Sequence, residues 1–141
     1  MIRERDLKHD LKYYTELKQG ILKLENDLRD VQYQLERVIS GGVVKVSHDQ
    51  PKEKKVNYYL YETKAKLEAD LIYLKNRLKK VDDFVFFLDE PYKSVVRDKY
   101  IYGFSYEKVA IRNNFSGTAI YKIIDTKIRK YIKNEEMKFH L

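Results

Sequence analysis

From Leu7 onward an apolar residue returns at every seventh position: Leu7, Tyr14, Ile21, Leu28 and Leu35. A companion set three residues on holds Asp10, Leu17, Leu24, Val31 and Val38, with Leu11 standing in beside the one polar member, Asp10. Apolar a and d positions sustained over about five heptads predict one amphipathic helix over residues 3–39. At 1.5 Å per residue it would be on the order of 50 Å long, too long to hide its stripe inside a small globule. Ser40-Gly41-Gly42 is its stop signal. Residues 41–55, with a proline and many polar side chains, read as a mobile loop, Val43, Val44 and Val46 allowing a short strand. A second heptad series follows from about Val56, with Leu60, Leu67, Leu74 and Val81 interleaved by Leu71, Leu78 and Val85. Two sequential heptad helices joined by a loop predict an antiparallel, coiled-coil-like hairpin over residues 1–82, whose spare seam suits oligomerisation.

The pattern changes at Phe84. An apolar knot, Phe84 to Leu88, precedes Pro91, which suits the first turn of a helix running to Tyr102 and halted by Gly103. Ser105 is placed to cap a short helix with Tyr106, Val109 and Ala110 inward, and Asn114 tolerates the left-handed backbone of a tight turn. Phe115 then returns to the core, Ser116 caps the next helix, and Ile120, Ile123, Ile124, Ile128 and Tyr131 form its buried stripe. Residues 84–141 thus read as a small domain built on a helix-turn-helix, and the whole chain as all-α. Two prolines and five glycines in 141 residues agree with that class.

Charge is distributed unevenly. Of the formal net +7, residues 91–141 hold 11 basic against 5 acidic side chains, while residues 1–40 balance at 8 and 8. A local basic excess is the electrostatic footprint of a polyanion-binding surface. The absence of cysteine removes disulfides, thiolate catalysis and cysteine-based zinc sites. His9, His48 and His140 lie on separate elements, adjacent acids diverge around helices, and no glycine-rich phosphate loop occurs. The expectation is no enzyme, no cofactor and no metal. Neither a signal-peptide core nor an 18-residue apolar run is present, so the chain is expected in the cytoplasm with no membrane partner.

The stretch YIYGFSYEKVAIRNNFSGTAIYKIIDTKIRKYI resembles region 4 of sigma-70-type factors, with Ser105-Tyr106-Glu107, Val109-Ala110, Phe115-Ser116, Ile120 and Ile123 in register. That family's pattern has a large apolar residue where this chain has Asn113, a polar one at Ile111, and a long polar side chain at Gly117. The hairpin-plus-domain layout is similar to small phage-encoded transcription activators of the RinA and ArpU kind. The resemblance implies a sequence-specific regulator of late genes in a bacterial host cell, with double-stranded DNA and RNA polymerase as partners.

In helix-turn-helix geometry the first residues of the second helix face base edges. Thr118, Tyr121 and Lys122 are the candidates for direct readout, with Ser116 and Gly117 at the helix start. Lys127, Arg129, Lys130 and Lys133 suit phosphate contacts, with Lys108 and Arg112 flanking. Few base contacts per chain favour a homo-oligomer, a dimer first, because two half-sites double the readout. Two other readings stay open on sequence: a DNA-recognition subunit of a phage packaging machine, similar to a small terminase, and a purely structural helical protein.

Overall fold

A computed structural model describes residues 2–38 and 50–138, the side chains of residues 50–57 excepted. Every regular element among them is helical: α1 (Glu4–Lys12), α2 (Tyr14–Arg37), α3 (Gln50–Phe87), α4 (Tyr92–Val96), a π-helical turn (Arg97–Ile101), α5 (Tyr106–Asn113) and α6 (Gly117–Lys138). No described helix is long and apolar enough to cross a membrane. The expected loop falls partly outside the described residues, as do Val43, Val44 and Val46. Its remaining part, residues 50–55, is helical and belongs to α3.

The chain divides into two compact units, Met1–Lys18 with Asn76–Leu141, and Gln19–Lys75. This division differs from the boundary near residue 83 that the change of pattern suggests. Leu7, Leu11 and Tyr14 share one core with Val81, Phe84, Val85, Leu88, Val95, Val96, Val109, Ala110, Ile120, Ile124, Ile128 and Tyr131. Apolar area is what these segments have in common, and burying a large side chain fully is worth about 1.5–3 kcal/mol, so α1 and the end of α3 join the C-terminal helices. Phe84, fully buried, meets Tyr131 edge-on at 5.4 Å. The Phe84–Leu88 knot therefore closes α3 instead of opening a new element, and its alternate member Phe86 is exposed.

The expected single helix over residues 3–39 is two helices, parted at Tyr13, whose backbone (φ −107°, ψ 30°) leaves the helical range. Asp10, the polar member of the companion set, has its counterpart on α3. It is buried and accepts from Arg77 Nε at 3.1 Å, with a second, closer contact to Nη2. A buried carboxylate is tolerable when a guanidinium pairs with it, here with two nitrogens converging on the one oxygen Oδ1. Leu11, as expected, takes the apolar role that Asp10 vacates.

In the 19–75 unit, Val31, Leu35 and Leu60 are buried together with Val38 and Leu67 against them. Glu25 meets Lys75 at 3.8 Å, and a side chain on Gly20 would lie 3.3 Å from Leu74. Leu24, Leu28, Leu67, Leu71 and Leu74 are only half-buried there.

Candidate nucleic-acid interface

The C-terminal helices are held by a small polar device at their centre. Val95 and Val96 bury α4, after which the backbone widens into the π turn, with Tyr102 N donating to Arg97 O at 2.9 Å. Gly103 ends it at φ +73°, a conformation that glycine adopts without Cβ strain. The turn carries Asp98, 3% exposed, whose Oδ2 accepts from Arg112 Nε at 3.1 Å and Asn113 Nδ2 at 3.0 Å. Asn113 also donates to Val109 O at 2.8 Å. The polar residue at the position where the sigma-like pattern is apolar is thus one of two donors to a buried carboxylate, the charge being met by Arg112.

Around this device the local chemistry follows the sequence. Ser105 Oγ accepts from Lys108 N at 3.2 Å and caps α5. Asn114 is left-handed (φ 61°, ψ 39°), and Phe115 N donates back to Ala110 O at 2.9 Å, which satisfies one of the carbonyls a helix end leaves open. Phe115 lies over Tyr92 with ring centroids 6.3 Å apart. Ile120, Ile124, Ile128 and Tyr131 form the buried stripe of α6, whereas Ile123 is half-buried. Tyr106, expected inward, is 37% exposed, because its place at the first turn of α5 sets it at the edge of the core.

At 3.6 residues per turn, Thr118, Lys122, Arg129 and Lys133 fall within an arc of about 60° on the side of α6 opposite its buried stripe. All four are exposed, as are Ser116, Gly117 and Lys130. A side chain built on Gly117 would meet nothing within 4 Å, so the start of α6 is open. Tyr121 lies on the flank between that arc and the buried stripe, 61% exposed.

The basic candidates divide by what they already touch. Arg129 Nη2 pairs with Asp125 at 2.9 Å and its Nε with Glu4 at 3.3 Å, Arg112 holds Asp98, and the Lys127 ammonium sits 4.0 Å over the Tyr92 ring. Lys108 and Arg112 both lie over Phe104, at 4.1 and 5.0 Å. No ion pair or ring contact is found for Lys122 and Lys130 among the described residues.

Sequence reasoning missed the part of this surface that comes from α1. Lys8 reaches across to Asp125 on α6 and also pairs with Glu4 at 2.8 Å. The hydrogen bond from Lys8 holds the Asp125 carboxyl below its ordinary range, and the same bond raises Lys8. This pair forms part of the lining of an open groove of about 570 Å³, together with Lys12, Lys99, Tyr100, Tyr106 and Tyr121 and with Thr15 and Glu16 of α2. Burial, with Tyr106 next to it, pushes the Tyr100 hydroxyl up to about 12. The only sequence signal for this arrangement was the apolar spacing of Leu7 and Leu11, which did not name its partner.

Among the described residues no group of His, Cys, Asp or Glu is disposed to hold a metal ion. No family model, curated protein or solved structure matches the chain.

Proposed function

We propose that the chain is a DNA-binding transcriptional regulator that reads duplex DNA with the N-terminal half of α6. The reading rests on one observation: α5 and α6 meet through the left-handed Asn114, and the outward arc of α6 after that turn presents Thr118 and Lys122 exposed at an unobstructed helix start. A helix entering a major groove needs such a face, with polar side chains that can exchange water for base edges. The basic excess of residues 91–141 supplies long-range attraction to phosphates. The likeness to sigma region 4 and to RinA- and ArpU-like activators agrees with this reading and adds RNA polymerase as a partner. In the same proposal α2 and α3 form the hairpin that oligomerises. The half-buried Leu24, Leu28, Leu67, Leu71 and Leu74 are the apolar surface that a second chain would cover, giving a dimer with two half-sites.

Incubating the full chain with fragments of its source genome, and sequencing those retained at moderate salt, tests the proposal. A shared sequence motif is the expected result. Retention of no fragment, or of fragments without a common site, refutes sequence-specific regulation. A particle mass of eight or more chains would move the reading to a packaging subunit.

A further inference from the structure

We propose that the groove lined by Lys12, Lys99, Tyr100, Tyr106 and Tyr121 is a second contact on the DNA, taking a phosphodiester segment of the backbone beside the groove that α6 reads. The inference rests on the DNA-binding reading of α6 and adds to it a site whose lysines come from α1 and the π turn.

Several observations converge. Tyr121 belongs both to the recognition half of α6 and to the lining, so a duplex engaged by Thr118 and Lys122 brings a strand to this edge. Like Lys108 and Lys127, the two groove lysines hold their ammonium groups against aromatic rings. Lys12 Nζ lies 5.5 Å from the centroid of Tyr13, and Lys99 Nζ lies 4.1 Å from that of Tyr106 and donates to the Phe104 carbonyl at 3.5 Å. Neither has a carboxylate partner among the described residues, whereas Lys8, Arg112 and Arg129 each do. A phosphate can therefore engage Lys12 and Lys99 without breaking an ion pair, and ring-held ammonium groups are already partly ordered. Tyr100, Tyr106 and Tyr121 bring three phenol groups to the same lining, and phenols are neutral hydrogen-bond donors to phosphate oxygens. The volume suits a sugar-phosphate unit more than a single small ion. Two carboxylates line the groove: Asp125, which is paired with Lys8 and Arg129, and Glu16, which repels an approaching phosphate.

Fluorescence anisotropy with a labelled duplex of unrelated sequence, at several salt concentrations, tests the proposal on the full chain. Lys12→Gln and Lys99→Gln should each reduce the slope of log affinity against log salt by about 0.9, the loss of one phosphate contact, and should weaken all sequences by one common factor. Glu16→Gln should tighten binding to every sequence, an effect that loss of packing would not produce. Lys99→Arg should restore the slope that Lys99→Gln loses. If Lys99→Gln perturbs folding by circular dichroism, the exposed Lys12→Gln and Glu16→Gln decide alone. Wild-type slope in both Lys12→Gln and Lys99→Gln, while Lys122→Ala still alters sequence preference, overturns this site and leaves the α6 reading standing. Failure of the wild-type chain to bind duplex DNA overturns both.

Discussion

Replacing Asn113 by leucine restores the apolar residue of the sigma-like pattern, and the sign of its effect separates that pattern from the observed contacts. If the position were an ordinary core site, added apolar area would stabilise by about 1 kcal/mol. In the structure Asn113 Nδ2 donates to the 3%-exposed Asp98 carboxylate at 3.0 Å and to Val109 O at 2.8 Å. A hydrogen bond to a charged group is worth about 1.5–3 kcal/mol, and a buried acceptor left short of a donor forfeits it. Leucine recovers roughly 0.5 kcal/mol in helix propensity. Asn113→Leu should therefore destabilise by about 2 kcal/mol, measured as a lower urea midpoint for the full chain. The cost should shrink below about 1 kcal/mol in an Asp98→Asn background, because the charge that needs the donor is gone. An unchanged or raised midpoint for Asn113→Leu would refute the view that the Asn113 hydrogen bond stabilises the buried Asp98 carboxylate.

Other outcomes follow from the same contacts. A fragment of residues 84–141 lacks Leu7, Leu11, Tyr14 and Val81 of the shared core, so it should not unfold cooperatively and should bind DNA through its basic charge alone, without sequence preference; joining residues 1–18 to 76–141 should restore cooperative unfolding and sequence preference, as checked by circular dichroism and anisotropy. Lys122→Ala should flatten preference at one base pair per half-site, by about 1–3 kcal/mol, while Lys133→Ala weakens all sites alike; a panel of singly substituted sites distinguishes them. Asp125 has a depressed folded carboxyl, so its share of stability is present above its unfolded range near 3.8 and is lost as pH falls through the lower folded value. Lys8, raised in the fold, loses its share only above about pH 10.5. Lys8→Met should flatten the acid limb of the stability curve, by no more than about 1 kcal/mol for a pair that water still reaches at Lys8. Gly117→Ala, in open space, should leave the fold intact or stabilise it by up to about 1 kcal/mol.

The chain's own pattern determined what depends on neighbours within a few residues. The heptads of α2 and α3, the Ser105 cap, the left-handed Asn114 and the α6 stripe are set by periodicity and by backbone preferences, and these are local properties. The exposed arc with Thr118 and Lys122 follows directly, since the opposite side of a stripe is fixed once the stripe is known. Only the tertiary structure decided which apolar faces share a core. Leu7 and Leu11 continue a heptad register that runs on into α2, yet they pack with Val81, Ile124 and Ile128 in another core, and nothing in a seven-residue repeat states the identity of the partner. Asp10 and Asn113 looked like breaks in apolar patterns, but Arg77 and Asp98, more than ten residues away in each case, make them necessary, because a buried charge is tolerated only where its counterpart arrives through the fold. The groove beside α6 is of the same kind: its lysines and tyrosines come from residues 8 to 121 of the chain, and convergence of such distant positions is a property of packing alone.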